Sequence, residues 1–187
     1  MRIVLSGAKA SGKSTIGNAL AGHLGVDFID LDDVILNLAR SSSIDAPSCA
    51  DIYRSHGEAL FRRLEQKAIL EIRHQRRCVL STGGSTLMYP LSRHRLRKDA
   101  VWIFLNASWD VLWDRLSFNI IPAYLEGSAS PATAFSERVS LIRKTVMPLC
   151  DHLVDVESRS PDEIVADIVS QLNQKSPSTS NVAIAKR

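Results

Sequence analysis

Residues 2–24 read RIVLSGAKASGKSTIGNALAGHL, and this stretch decides the fold of the 187-residue chain. Residues 2–6 are apolar enough for a short buried strand, and Ile16, Leu20 and Leu24 have the spacing of the apolar stripe of a helix. Between them lies the pattern Gly-x-x-x-x-Gly-Lys-Ser, which a preceding strand and a following helix identify as a phosphate-binding loop. The alternative, a glycine-rich turn that binds nothing, requires neither flanking element.

The chemistry of this loop predicts a nucleotide ligand. Gly7 and Gly12 permit backbone angles at which successive N–H groups point into one concavity, and the N-terminus of the following helix adds partial positive charge. Lys13 can reach the outer phosphates, and the Ser14 hydroxyl can complete the coordination shell of Mg²⁺. The residues expected to contact the nucleotide are Gly7, Ala10, Ser11, Gly12, Lys13, Ser14 and Thr15.

Carboxylates follow in a second predicted strand, Val26–Asp33. Residues two apart in an extended chain share a face, so Asp30 and Asp32 should project the same way. In open α/β sheets ligands bind outside the carboxyl ends of the strands, which places this pair beside the phosphates. One carboxylate could hold Mg²⁺ through water while the other accepts a proton from an attacking hydroxyl. Asp33 is assigned instead to cap the next helix, 34–40.

Length and composition describe one domain with a core of its own. The chain is 45% hydrophobic and 23% charged, and its formal net charge of +3 is too small to predict nucleic-acid binding. Its three cysteines are far apart and predict neither a disulfide framework nor a metal site. The first strand begins almost at residue 1, and no apolar run reaches the length of a membrane span. We expect a cytoplasmic monomer without a membrane or nucleic-acid partner.

The rest of the chain alternates between strands and helices, which predicts a parallel sheet with right-handed crossovers. Further strands are predicted at 78–85, 100–105 and 153–156, and helices at 49–56, 57–76, 108–116, 134–149 and 161–172. Gly83 and Gly84 end the third strand, where paired glycines allow backbone N–H groups to approach a ligand, although a tight turn is the alternative. The domain spans 1–174, and the polar tail, 175–187, is predicted to be disordered.

Residues 117–136 differ from the rest of the chain in their prolines, glycine and small residues. A loop of this length without periodicity is typical of a functional lid or of disorder. As a lid it would exclude water with Phe118, Ile120, Ile121 and Tyr124, since it contains no lysine or arginine.

Four motifs stand in one order along the chain, namely Gly7–Thr15, Asp30-x-Asp32, Phe61-Arg62-Arg63 and Leu80–Gly84. Together they resemble the shikimate kinase family, small P-loop kinases of the nucleoside-monophosphate-kinase fold. The resemblance covers Met1–Gln174 and is closest up to Gly84, with Ala10 and Ser85 in place of family glycines. It implies an α/β fold of three layers, α/β/α, with a five-stranded parallel sheet of the P-loop NTPase type and a lid segment.

The resemblance also implies an activity, the transfer of phosphate from ATP, with Mg²⁺, to a hydroxyl of shikimate or a related hydroxy acid. Asp32 would act as the base, and Arg62 would bind the acceptor carboxylate. The residues implied are Lys13, Asp32 and Arg62 for catalysis, Asp32, Arg62, Gly83 and Gly84 for the acceptor, and Ser14 and Asp30 for the metal.

Two arginines that the family places in its active site are missing from this sequence. Ile121 stands where an arginine precedes the lid proline, and Val146 stands where a second arginine binds the substrate carboxylate. Because an arginine on the transferring group can be worth ~10³–10⁵ in rate, either the charges have moved or the substrate differs. Arg143, one helical turn before Val146, is the candidate for the substrate carboxylate. Arg115, assigned to the nucleotide, and Arg138 flank the lid as further candidates.

Three other functions stay open on the sequence alone. The same fold could phosphorylate a different acceptor, a sugar acid or a nucleotide, which the missing arginines favour. A nucleotide-binding protein without turnover would need Lys13 and Ser14 but no arginine on the lid. Nucleic-acid binding through the basic run at 93–98 has the least support, because that run lacks interleaved aromatic residues.

Overall fold

The computed structural model describes residues 1–117 and 122–174. In these ranges five parallel strands form one sheet in the order β2-β3-β1-β4-β5. The strands are β1 (Arg2–Ser6), β2 (Asp27–Asp30), β3 (Cys78–Ser81), β4 (Ala100–Asn106) and β5 (His152–Asp155). The predicted five-stranded parallel sheet is confirmed.

Helices connect and cover the strands. They are α1 (Lys13–Leu24), α2 (Leu31–Ser41), α3 (Cys49–Glu71), α4 (Pro90–Arg97), α5 (Trp109–Ser117), α6 (Pro131–Val146) and α7 (Pro161–Gln174). Short 3₁₀ turns occur at 72–74, 86–88, 123–125 and 147–149. Within the part of the chain that the structure describes, no helix combines the length and the apolar character needed to cross a bilayer.

Both faces of the sheet are buried, because successive residues of a strand point to opposite sides. On β1, Ile3 and Leu5 pack in one cluster with Leu20 of α1 and Ile164 of α7. Val4 points the other way, into a second cluster to which α2, α3 and α4 contribute. A parallel sheet covered by helices on both faces is the three-layer α/β/α arrangement predicted from the sequence.

The predicted second strand is wrong at its C-terminal end. β2 ends at Asp30, and α2 begins at Leu31, which is fully buried. Asp30 caps this helix, because its carboxylate accepts a hydrogen bond of 3.0 Å from the Asp32 N–H. The expected cap, Asp33, is an exposed residue of the first turn instead. Each aspartate in this acidic run is a competent cap, and the burial of Leu31 in the core favours the earliest helix start.

α3 contains the predicted break between two helical segments. Ser48 caps its start by accepting a hydrogen bond of 3.2 Å from the Asp51 N–H. Gly57 interrupts the helix with a φ of 77°, a left-handed conformation that favours glycine. The helix is therefore broken at Gly57, five residues before Arg62.

The predicted lid is shorter than 117–136 where the structure describes it. α5 includes Ser117, and α6 begins at Pro131, three residues before the expected start, because proline is favoured in the first turn of a helix. Residues 122–130, which include one 3₁₀ turn, remain as loop. Phe118, Ile120 and Ile121 of the predicted lid and the tail 175–187 lie outside the described residues.

Candidate active site

The loop between β1 and α1 has the backbone that its glycines predict. Gly7 has a φ of 147° and Gly12 a φ of 86°, values that L-amino acids with a side chain rarely adopt. A Cβ at Gly7 would lie 2.6 Å from the carbonyl oxygen of Leu105, so a larger residue does not fit. Ala10, which replaces a family glycine, has a φ of 68°. This conformation costs alanine roughly 1 kcal/mol relative to glycine.

Lys13 begins α1 and folds back over the loop. Its ammonium donates to the carbonyl oxygens of Gly7 at 3.1 Å and Ala8 at 2.8 Å, and to Ser11 Oγ at 3.4 Å. Burial lowers the pKa of Lys13 to about 8, and the nearby Asp32 carboxylate opposes this effect. At neutral pH the loop therefore still carries a positive charge directed at its concavity.

The two predicted metal ligands are in contact with each other. Ser14 Oγ donates to the Asp30 carboxylate at 2.5 Å and lies 3.5 Å from Ser81 Oγ at the end of β3. The second carboxylate oxygen of Asp30 is the one that caps α2. A hydroxyl and a carboxylate thus stand side by side next to the phosphate loop.

The glycine pair after β3 brings this strand end close to the loop and to α2. A Cβ at Gly84 would lie 3.2 Å from the backbone nitrogen of Lys9, and a Cβ at Gly83 would lie 3.7 Å from a carboxylate oxygen of Asp32. Burial, and then the neighbouring Asp30 carboxylate, raise the pKa of Asp32, while two nearby lysines oppose the rise. A carboxylate with a raised pKa beside a phosphate loop is suited to accept a proton.

Two cavities meet at this point. The loop cavity, of about 230 Å³, is lined by the phosphate loop and by the ends of β2 and β3. The α3 cavity, of about 140 Å³, lies between α3 and residues 122–138. The residues that line both cavities are Lys9, Asp32, Gly83 and Gly84. A group bound in one cavity can therefore touch a group bound in the other beside Asp32.

Arg62 forms part of the wall of the α3 cavity, on the cleft side of its helix. Its guanidinium donates to Glu65 at 3.0 Å, to Ser85 Oγ at 3.0 Å and to Glu58 at 3.3 Å. It also lies over the Tyr89 ring, 4.3 Å from the ring centroid. Because a guanidinium has about five N–H donors, these contacts fix its plane and leave donors for a ligand.

Glu65 is a site residue that the sequence patterns do not single out. Its side chain is buried and accepts hydrogen bonds from Arg62 at 3.0 Å and from Thr86 Oγ1 at 2.8 Å. Glu65 directly follows Leu64 and lies among buried residues of α3, so the sequence pattern indicates a core position there. The signal that could have found it is its i+3 spacing from Arg62, which places both side chains on one helix face.

Arg138 lines the α3 cavity together with Arg62. It lies on α6, and its guanidinium is 5.5 Å from the centroid of the Tyr124 ring, within the range of a cation–π contact. Two arginines from different helices therefore line a single cavity, an arrangement suited to a ligand with a carboxylate.

The described part of the predicted lid contributes residues to the wall of the α3 cavity. Pro122 and Tyr124 line the cavity, and Leu125 is buried. Glu126 forms an ion pair with Arg54 of α3 at 2.6 Å. These contacts dock the segment on α3.

Arg143 is not brought to either cavity. Its guanidinium donates to the carbonyl oxygen of Ala107. Val146, the position of the missing arginine, is only 1% exposed and belongs to the core. The two residues are about one helical turn apart, but Val146 packs in the core and Arg143 binds the backbone, and neither lines the α3 cavity.

Arg115, which the sequence analysis assigns to the nucleotide, lies beside the phosphate loop. It lines a third cavity, of about 320 Å³, together with Ala10, Gly12 and Thr15. Its guanidinium donates to the carbonyl oxygen of Val156 at 3.1 Å. The third cavity adjoins the outer side of the phosphate loop, so a nucleotide whose phosphates lie on the loop can extend into it.

A further cavity, of about 360 Å³, lies at the amino ends of the strands and is lined in part by the basic run at 93–98. Arg2 in its wall donates to the carbonyl oxygens of Ile72 and Gln75 at 2.9 Å. Arg76 pairs with Asp99 at 2.8 Å. These cations bind groups of the protein itself at the amino ends of the strands, away from the phosphate loop.

Comparisons with known proteins agree with this geometry. The profile of the shikimate kinase family matches residues 9–173. A shikimate kinase from Thermodesulfovibrio yellowstonii is 30% identical over 177 residues, which cover 93% of this chain and 96% of that protein. A shikimate kinase from Geobacter metallireducens is 31% identical over 173 residues, which cover 91% and 90%.

Solved structures share the fold. The shikimate kinase from Acinetobacter baumannii in complex with shikimate superposes with a TM-score of 0.81 at 20% identity, over 94% of each chain. The shikimate kinase from Aquifex aeolicus gives a TM-score of 0.73 at 25% identity, over 93% of this chain and 97% of that one. The chain belongs to the shikimate kinase family and is an ATP-dependent phosphotransferase.

Proposed function

We propose that this phosphotransferase transfers the γ-phosphoryl group of ATP to a hydroxyl of shikimate, with ATP in the loop cavity and shikimate in the α3 cavity. The observation that carries the proposal is the meeting of the two cavities at Asp32. Catalysis of phosphoryl transfer is mostly positioning and charge stabilisation, so donor and acceptor must meet beside a base and cations. The acceptor is suggested by the relatives, one of which is a complex with shikimate.

The nucleotide side of the proposal uses the phosphate loop. Lys13 donates to loop oxygens and is close enough to exchange these contacts for phosphate oxygens. The remainder of the nucleotide would extend into the third cavity beside Arg115.

Ser14 and Asp30 fit a magnesium ion. Mg²⁺ keeps several waters and binds through one or two carboxylates plus substrate phosphates, so it needs no cage of protein ligands. In residues 1–117 and 122–174 there is no group of three or more His, Cys, Asp or Glu side chains placed to hold a metal. When bound, the ion neutralises charge on the phosphates. Ser14 and Asp30 would hold it, since their hydrogen bond of 2.5 Å already places hydroxyl and carboxylate together.

The acceptor side relies on Asp32 and on two arginines. Asp32 accepts the proton of the attacking hydroxyl, for which its raised pKa is favourable. The acceptor carboxylate binds between Arg62 and Arg138, which line the same cavity. A guanidinium pair holds a carboxylate through several charge-assisted hydrogen bonds. Arg138, and not Arg143, thus takes the role of the arginine that is missing at Val146.

The test is a coupled assay of ADP release with MgATP. We expect turnover with shikimate well above the background hydrolysis of ATP, and none with gluconate or a nucleoside monophosphate. Lys144→Met, an exposed residue of α6, serves as the control variant with unchanged activity. Turnover with gluconate but not with shikimate would identify a sugar-acid kinase, and no turnover above background with shikimate would reject the proposed acceptor.

A further inference from the structure

Lys9 lies where the two cavities meet, and we propose that its ammonium binds the phosphoryl group during transfer and supplies the positive charge that the lid lacks. The inference rests on the proposed function, because it concerns the same transfer step. It adds a cation that the phosphate-loop pattern does not assign, since Lys9 occupies one of the variable positions of that pattern.

The placement of Lys9 is specific to the transfer point. Four residues line both the loop cavity and the α3 cavity, and Lys9 is the cation among them. Asp32, the proposed base, is another member of this set. The in-line path from the nucleotide to the acceptor hydroxyl passes through this shared region, so a cation here faces the group in transit.

The backbone at Lys9 is held in place by its neighbours. Its nitrogen would be 3.2 Å from a Cβ at Gly84, so glycine at that position lets the two segments touch. On the other side, the Ser11 N–H donates to the carbonyl oxygen of Ala8 at 3.3 Å across the turn. The left-handed conformation of Ala10 completes the turn. The side chain of Lys9 therefore starts from a backbone position that its neighbours hold beside the two cavities.

The ammonium of Lys9 is available for a ligand. Lys9 is exposed, and within the described ranges its side chain has neither a hydrogen bond nor an ion pair. Lys13 differs, because its ammonium donates to three oxygens of the loop. Arg138 also differs, because it lines only the α3 cavity. These differences assign Arg138 to the acceptor and Lys9 to the transferring group.

The charge requirement explains why such a residue is needed. The sequence has no lysine or arginine between Arg115 and Arg138, so the lid cannot bring a cation to the phosphoryl group. A cation on the transferring group can be worth ~10³–10⁵ in rate when it is an arginine. Lysine binds phosphate as a point charge, as the lysine of a phosphate-binding loop does.

The transfer step forms one bond to phosphorus, breaks another and moves one proton, and Lys9 takes no part in the proton transfer. The acceptor oxygen forms a bond to the γ-phosphorus, and the bond from that phosphorus to the bridging oxygen of ADP breaks. The hydroxyl proton passes to Asp32, and ADP leaves with the electron pair of the broken bond. Lys9 contributes hydrogen bonds and charge to the three outer oxygens throughout.

The test compares Lys9→Met, which removes the ammonium and keeps an unbranched apolar side chain, with Lys9→Arg and with Lys144→Met as an exposed control. We expect Lys9→Met to lower kcat at least ~100-fold, while Lys9→Arg retains kcat within roughly tenfold. The Kd for MgADP should change less than about threefold in each variant, because ADP lacks the transferring group. A kcat of folded Lys9→Met within about threefold of wild type overturns the proposal.

A second measurement separates this inference from the choice of acceptor. Aluminium fluoride, which mimics the transferring phosphoryl group, should tighten MgADP binding to the wild type and fail to do so in Lys9→Met. An equal gain in both proteins contradicts the role of Lys9, even if shikimate is not the acceptor. The wild type could be inactive on shikimate while aluminium fluoride tightens MgADP binding to the wild type and not to Lys9→Met. That result supports the role of Lys9 and rejects shikimate as the acceptor. If Lys9→Met does not fold, Lys9→Gln replaces it in both measurements.

Discussion

The loop cavity and the α3 cavity differ in the origin of their charges. In the loop cavity, Lys13 and Ser14 belong to one strand-loop-helix unit, and Asp30 joins them from the adjacent strand end. In the α3 cavity, Arg62 and Arg138 come from two helices that are far apart in the sequence. Backbone geometry fixes the first arrangement, so few residues can change there. Acceptor charges, by contrast, can move between helices while the fold stays the same.

We expect the largest effect from a substitution of Asp32, which lies where the two cavities meet. Asp32→Asn removes the base and should lower kcat by ~10²–10⁴, while the Kd for MgADP remains near the wild-type value. Steady-state kinetics and calorimetry measure the two quantities. Asp33→Asn, an exposed neighbour in the same helical turn, is the matched control. If Asp32→Asn keeps wild-type kcat, Asp32 is not the base.

A second variant tests whether the missing arginine can return to its family position. Val146 is only 1% exposed, so Val146→Arg buries an unpaired charge and should reduce the free energy of unfolding by roughly 3 kcal/mol or more. Urea unfolding followed by circular dichroism measures the change. Leu141→Arg, at a position of the same helix that is 46% exposed, should change stability by less than about 0.5 kcal/mol. Wild-type stability of Val146→Arg would show that this position faces a cavity.

Arg138 and Arg143 offer a direct contrast on one helix. Arg138→Met removes charge-assisted hydrogen bonds to the acceptor, and the KM for shikimate should rise ~10–100-fold with an unchanged Kd for MgADP. Arg143→Met should leave KM unchanged, because Arg143 binds the carbonyl oxygen of Ala107. The reverse result, with KM raised only in Arg143→Met, would restore the sequence-based assignment.

The smallest effect concerns the nucleotide side and follows from the pKa of Lys13, which burial lowers to about 8. Below this pH the ammonium is charged and attracts phosphate, and above it the neutral amine does not. The affinity for MgADP should therefore fall above about pH 8, by up to about tenfold per pH unit. Calorimetry across this range measures it, and Lys13→Met should bind weakly with little pH dependence. A flat wild-type profile contradicts the assigned pKa.

The nucleotide side could be predicted from the sequence because its contacts are local. Gly7, Gly12, Lys13 and Ser14 interact within one short stretch, and their spacing alone specifies the loop. Asp30 and Asp32 were paired correctly, although a helix N-terminus and not strand alternation brings them together. The five-stranded parallel sheet followed from the alternation of apolar strands and helices.

The acceptor side could be predicted only in part, because its geometry depends on tertiary packing. Arg62 was found through its motif, but the face of α6 that meets the cavity could not be read from helical spacing, so Arg143 was favoured over Arg138. Glu65 could not be told from the buried residues around it in α3. Lys9 stands at a variable position of the loop pattern, to which the pattern assigns no role. Their roles depend on which elements pack opposite them.

The most direct test of the account is a crystal structure of the protein with MgADP and shikimate. The account predicts the shikimate carboxylate within hydrogen-bond distance of both Arg62 and Arg138, and a ring hydroxyl within hydrogen-bond distance of Asp32 on the side of the phosphate loop. Shikimate bound with its carboxylate away from Arg62, or with no hydroxyl at Asp32, would contradict the claim that donor and acceptor meet at the junction of the two cavities.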